Sequence, residues 1–175
     1  MSLFIIVDTS VARACGRGHI YANSPAPQCV NALAAISNGN MMTAMSRDLK
    51  EEWHRHAGPY ARRWLGNMIA RKRFAVVNDS WGGESLVVSE VQGFSDKKRL
   101  AVLKDLHLVS FAMLTDKRIL SLDDSQKELL AVVASKVKVL RSIHWANPKN
   151  VETQRWLLAG AGDEKSLYIV GVKVE

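Results

Sequence analysis

Residues 3–7 read LFIIV, five apolar side chains in a row, and the run stops on Asp8, Thr9 and Ser10. A strand with one wet face alternates apolar and polar residues. An unbroken run belongs instead to a strand covered on both faces, as in a parallel sheet flanked by helices. Further strand-like runs follow, the last of them with partial alternation. MMTAM (41–45), FAVVND (74–79), RILSL (118–122) and KVKVLRSIHW (136–145) read as strands. APQCVNALAAIS (26–37) reads as a helix, with Val30, Leu33, Ala34 and Ser37 at helical spacing and Gly39 as its stop.

Ser46 is placed to cap a helix over SRDLKEEWHRH, and Gly58-Pro59 breaks it before another helix over roughly 60–73. SWGGE (80–84) is a turn, and SLVVSEVQGFS (85–95) reads as an extended segment followed by a loop. One long helix is expected over 96–114 and another over SQKELLAVVAS (125–135). Asn147 and Pro148 have the form of a cap and first position for a helix reaching Leu158. AGAGDE (159–164) is a turn before a last strand, SLYIVGVKV (166–174), a candidate antiparallel edge. Gly16 to Pro27 is a loop. Strands alternating with helices predict an α/β protein, a three-layer α/β/α sandwich with a mainly parallel central sheet. At 175 residues one domain is expected over 1–175.

No apolar run approaches the roughly 20 residues of a membrane span. The early apolar run is interrupted at Asp8 and lacks the pattern of a secretion signal. Cys15 and Cys29 have no metal-ligand spacing. A reduced, cytoplasmic protein without a membrane partner is the expectation. A formal charge of +7 and a pI of about 9.6 favour a polyanionic partner such as nucleic acid. Basic residues cluster in HRHAGPYARRW and ARKRF, with Trp53, Tyr60, Trp64 and Phe74 among them. That mixture suits a nucleic-acid strand, or equally a solvated helix face with Trp64 and Phe74 in the core.

In open α/β sheets ligands bind beyond the carboxyl ends of the strands, and Asp8 and Asp123 each stand at such an end. On the helix after Ser46, Leu49, Trp53 and Tyr60 set the apolar direction. At about 100° per residue, Glu52 turns inward and Glu51 outward. In the long helix, Val102, Leu106, Val109 and Met113 form an apolar stripe. Asp105 lies in the adjoining row of Ala101, Leu108 and Ala112, an acid in an apolar face, while His107 falls at the boundary. Carboxylates gathered in one pocket repel unless a cation lies between them. Hard divalent ions such as Mg²⁺ or Mn²⁺ take oxygen ligands and serve phosphodiester hydrolysis.

The order IIVDTS, SRDLKEEW, KDLHLVSFAML, ILSLDD resembles the PIN-domain family of metal-dependent ribonucleases, which includes VapC-type toxins of toxin–antitoxin pairs. Asp8, Thr9 and Ser10 match its first motif, and Ser46 and Glu52 its second. Asp105 with Ala112, and Ser121-Leu122-Asp123, match the others. The match covers about residues 3–125. Relative to compact members, 74–93 is a candidate insertion and 146–175 a C-terminal extension.

The resemblance implies that Asp8, Glu52, Asp105 and Asp123 hold Mg²⁺ or Mn²⁺, with Ser10 orienting the first carboxylate or a metal-bound water. Asp124 is either an accessory ligand or the cap of the following helix, and Arg47, Arg62 and Arg63 are candidate phosphate contacts. The implied partners are RNA, an antitoxin protein and a second copy in a homodimer. A PIN-like module that binds RNA or protein without cutting is the alternative. A haloacid-dehalogenase-type phosphotransferase would need an acid two residues after Asp8, where Ser10 stands, and a receiver-like domain would need an early acidic pair.

Overall fold

The computed structural model describes residues 3–16 and 24–171. Five parallel strands, β1 (Leu3–Val7), β2 (Met41–Met45), β3 (Phe74–Val76), β4 (Arg118–Leu120) and β5 (His144–Ala146), form one sheet in the order β3-β2-β1-β4-β5. Ile5 pairs with Thr43 on one side of β1, and Val7 with Leu120 on the other. β1 is thus the central strand, and Ile5, Ile6 and Val7 are fully buried, which explains the unbroken apolar run.

The helices fall into two packed groups. α1 (Thr9–Ala14), α2 (Ala26–Asn38), α3 (Arg47–His56), α4 (Pro59–Ala70) and α9 (Val151–Leu158) pack on one another. α5 (Glu84–Glu90), α6 (Asp96–Lys104), α7 (Leu106–Leu114) and α8 (Asp124–Val133) lie in the crossovers that run the other way from β1, and α7 packs on β1 and β4. With right-handed crossovers, reversing the direction of strand addition puts helices on the opposite face. The expected three-layer α/β/α sandwich is the architecture.

Side-chain hydrogen bonds fix the α1–α3–α4 corner. Ser46 accepts from the Leu49 amide at 2.9 Å and caps α3. Trp53 Nε1 donates to the Val7 carbonyl at 3.1 Å, and Trp64 Nε1 to the Leu33 carbonyl at 2.7 Å. Their rings lie 5.9 Å apart and are buried, so the core reading holds for Trp64, Phe74 being half-buried against the core, and neither tryptophan ring is free to stack on a base. At the α3–α4 break the Gly58 amide bonds to Ala12 O at 2.9 Å. A Cβ on Gly58 would lie 2.5 Å from the Gly16 nitrogen, so this corner closes only with glycine.

Five expectations need correction. SLVVSEVQGFS is not extended: it forms α5 and a 3₁₀ turn, Val91–Gly93. Val87 and Val91, four apart, are both buried, and that helical spacing overrides the β-propensity of the valines. The helix over 96–114 is two helices broken at Asp105, whose φ of −101° and ψ of 8° leave the helical region. The break lets α6 pack on α8 while α7 packs on the sheet. KVKVLRSIHW gives a 3₁₀ segment, Lys138–Ser142, before the three-residue β5, because Val137 and Leu140 bury at a spacing of three. Asn147 does not cap a helix directly. α9 starts at Val151, and Asn147 is buried, donating to Asp124 Oδ2 at 2.8 Å and accepting from the Lys149 amide at 3.0 Å.

The expected last strand reduces to a 3₁₀ turn, Lys165–Leu167, and one antiparallel bridge between His144 and Tyr168. Residues 17–23 of the expected loop and 172–174 of that strand lie outside the described residues. No helix among the described residues is long and apolar enough to cross a membrane.

Candidate active site

β1 and β4 are neighbours, yet the chain leaves β1 toward the β3 edge, returns across β1 to β4, and continues from there to the opposite edge. Their carboxyl ends therefore flank the point where strand order reverses, the usual place for a ligand crevice. Asp8 follows β1, and its amide donates to the Leu120 carbonyl at 2.9 Å. Ser121 and Asp123 follow β4.

Two hydroxyls hold Asp8. Ser121 Oγ donates to Asp8 Oδ2 at 2.8 Å, and Ser10 Oγ donates to the same oxygen. Each hydroxyl also accepts a backbone amide from the exit of β4: Ser10 from Leu122 at 3.1 Å and Ser121 from Asp123 at 3.1 Å. Each therefore uses its one proton on the carboxylate and a lone pair on the backbone. Asp8 and Ser10 are thereby locked to Ser121, Leu122 and Asp123, and the orientation of the Asp8 carboxylate is fixed. This is the orienting role expected of Ser10, shared with Ser121.

Asp105 lies near Asp8 and Asp123. Burial, then the charge of Asp8 and more weakly that of Asp123, raises its pKa from 3.8 to about 6, with Lys104 and His107 opposing. Burial and like charges both disfavour the anion here. Glu52 is half-buried on α3 while Glu51 is exposed, as the helix geometry requires. Thr9 Oγ1 donates to Glu52 Oε2 at 3.0 Å, so Glu52 joins the crevice through the residue next to Asp8. Glu52 is not among the charges that move Asp105. The ion pairs among the described residues are Arg99–Asp96, Lys136–Glu90 and His144–Asp163. None places a cation on these four acids.

Asp123 has a second duty. Its Oδ1 accepts from the Gln126 amide at 2.9 Å and from Ser125 Oγ at 2.5 Å, so Asp123, not Asp124, caps α8. Asp124 is exposed in the first turn, with Oδ2 bound to Asn147. Of the candidate phosphate contacts, Arg62 is engaged by protein: Nε donates to Ala57 O at 2.9 Å and Nη2 to His54 O at 3.1 Å. Arg47 and Arg63 are exposed.

The sequence did not single out Glu84. It begins α5 and accepts a hydrogen bond from Ser110 Oγ on α7. With Arg47, Asp48, Asp79 and His107 it lines a cleft of about 230 Å³ at the carboxyl edge. A reading of 85–95 as extended hides it, since only a helix brings residue 84 to residue 110.

A divalent ion would find only hard oxygen donors here, and a set of charges that its own charge would relieve. Among the described residues, however, no three His, Cys, Asp or Glu side chains already stand as a cage for a metal ion. The donor chemistry fits; the side chains would have to close on the ion. Comparison with family models, with curated proteins and with solved structures finds no match to this chain.

Proposed function

We propose that the β1–β4 crevice hydrolyses RNA phosphodiester bonds with Mg²⁺ or Mn²⁺ as cofactor. The observation that carries this reading is Asp105, an acid raised to about 6 beside Asp8 and Asp123, with no cation among the described residues ion-paired to it. A purely structural cluster would be neutralised by lysine, arginine or an apolar exchange, because unpaired buried charge is costly. Carboxylates left in mutual repulsion are what a cation site needs before the cation arrives.

Asp8, Asp105 and Asp123 are the residues that would hold the ion, with Glu52 closing from α3. When bound, the ion would polarise the phosphoryl group, lower the pKa of a water and offset charge on the departing oxygen. The chain's own part is orientation. Ser10 and Ser121 hold Asp8 Oδ2, while Thr9 holds Glu52. Asp105 exchanges its proton near pH 6, so the full anionic set forms only above that value. The excess of positive charge draws the polyanionic substrate. The sequence resemblance supports RNA over DNA and the role of a toxin held by an antitoxin.

The test is a fluorescent single-stranded RNA incubated with Mn²⁺ or Mg²⁺, with and without chelator. Cleavage that needs the ion and vanishes in Asp8→Asn supports the reading; cleavage unaffected by chelator refutes it. The alternative reading is an RNA-binding module without catalysis. Metal-independent binding with intact RNA is its signature.

A further inference from the structure

Cys15 and Cys29 are the chain's two cysteines, and the crevice uses neither. Both are free thiols, and both are buried, at 1 % and 0 % exposed. Cys15 is the C-cap of α1, and Cys29 stands in the first turn of α2. The two helices pack on each other, and the two thiols share a hydrogen bond. Among the described residues no third His, Cys, Asp or Glu joins them in a metal cage. What remains for two sulfurs in contact is to bond to each other.

We propose that Cys15 and Cys29 are a reversible redox pair whose disulfide shifts α1. The oxidant is a low-molecular-weight disulfide, glutathione disulfide. One protein thiolate attacks it, forms a mixed disulfide and releases one glutathione thiolate. The second protein thiolate then attacks the protein sulfur of that bond and releases the other. Two protein thiols are oxidised to one disulfide, the glutathione disulfide is reduced to two thiols, and the two thiol protons end on the departing glutathiones. Burial sets the rate and the product. The hydrogen bond to Cys29, and then burial, hold the Cys15 thiol well above its ordinary pKa, so the closed state is inert. Exchange passes through local opening of α1, a helix of only six residues. The closed core has no room for a glutathione on either sulfur, so reclosure drives the bond between Cys15 and Cys29.

The consequence lies at the other end of α1. Asp8 is its N-cap, and Thr9 and Ser10 are its first two residues. Thr9 donates to Glu52, and Ser10 donates to Asp8 and accepts the Leu122 amide. At a rise of about 1.5 Å per residue the helix is about 9 Å long, short enough to move as one piece. Bonded sulfurs stand about 2.0 Å apart, inside any hydrogen-bond contact, so oxidation draws the Cys15 end toward α2. The Cys15 backbone is already tight against the α3–α4 corner, since a Cβ on Gly58 would lie 2.6 Å from its carbonyl. The displacement therefore passes along α1 to Thr9 and Ser10. The inference does not depend on nuclease activity.

The test compares the full ¹⁵N-labelled chain with itself, equilibrated without denaturant first in reduced glutathione and then in glutathione disulfide. Oxidation should remove two hydrogens from the intact mass and leave no glutathione attached. The amide resonances of Thr9, Ser10 and Leu122 should shift. The bond closes residues 15–29 into a loop, so the thermal midpoint should rise by about 6–12 °C. Dithiothreitol should reverse all three changes, and Cys15→Ala and Cys29→Ala should each abolish them. The wild-type comparison stands even where a variant folds poorly, because it needs no substitution. Thiols that stay free, a glutathione retained on either sulfur, or oxidation that occurs only in urea overturns the proposal. So does a disulfide form in which the Thr9, Ser10 and Leu122 resonances stay in place.

Discussion

Two regions at the sheet hold a half-buried or buried titratable group whose neutral form is favoured, and they solve the problem differently. In the β1–β4 crevice Asp105 sits beside Asp8 and Asp123, like charges that push its pKa the same way as burial does. At the β5 edge His144 is buried against Trp156, with ring centroids 5.7 Å apart, and Tyr168, at 4.4 Å. Burial, then Arg118, lowers its pKa, while Asp163 at 3.3 Å opposes. The neutral ring accepts the Glu164 amide at Nε2, 3.1 Å away, and so ties the chain after α9 to the sheet. One group faces two like charges, with Lys104 and His107 opposing, and makes no ion pair among the described residues; the other has a hydrogen bond, two aromatic faces and a nearby carboxylate. The first has the electrostatics of a site awaiting a ligand, the second those of a finished structural joint.

Exchange at the two regions should separate them by the largest margin in catalysis. Asp8→Asn and Asp105→Asn should each cut Mn²⁺-dependent RNA cleavage by at least about 100-fold, since each removes a ligand charge. His144→Gln should leave cleavage within about threefold, because no reacting group depends on it. Comparable losses at both places would erase the distinction. Ser121→Ala removes one of the two hydroxyls on Asp8 and should cost about 10- to 100-fold. Circular dichroism checks that each variant is folded.

Stability against pH sharpens the comparison. Asp105 has a folded-state pKa of about 6 against an ordinary 3.8. Its contribution is complete below about pH 4 and is lost as pH rises through about 6. His144 is lowered from 6.5, so its contribution is present above about pH 6.5 and is lost as pH falls below that value. Both contributions are reduced between about pH 4 and 6.5, so urea midpoints of metal-free protein should pass through a shallow minimum there. Asp105→Asn should lift the alkaline side by about 1–2 kcal/mol, a figure reduced for partial exposure. His144→Gln should flatten the rise on the alkaline side of the minimum. Added Mn²⁺ should stabilise the wild type above pH 6 and do little for Asp105→Asn. An alkaline limb that Asp105→Asn leaves unchanged would refute the account of the crevice.

These two regions also mark how far the sequence could be read. β1, α2, β2 and α3 follow from local signals: an unbroken apolar run, Gly39 as a stop, Ser46 as a cap. Asp8, Asp123 and the inward Glu52 follow because strand ends and helix faces are themselves local. Asp105 was found for a different geometry, since the helix that would have carried it is broken at that residue. Ser121 on Asp8 and Ser110 on Glu84 join residues 113 and 26 apart, and no local pattern announces them. The β5 region was least legible. Its 3₁₀ turns, three-residue strand and buried Asn147 answer to contacts with Asp124, Tyr168 and Ile169 rather than to any repeat in the sequence.

The smallest expected effect tests the helix-face argument itself. Glu51 and Glu52 are adjacent in sequence and alike in charge, so a change at either alters net charge equally. Only Glu52 meets the crevice, through the 3.0 Å bond from Thr9; Glu51 is exposed at a cleft between α3 and α4. Glu52→Gln should lower Mn²⁺-dependent cleavage by about 10- to 100-fold and weaken the metal requirement. Glu51→Gln should change it less than about twofold. Because both remove one negative charge from a basic protein, any shared effect on RNA attraction cancels in the ratio of the two rates. A ratio near one would mean that α3 presents neither carboxylate to the reaction, leaving Asp8, Asp105 and Asp123 as the only acids able to hold an ion there.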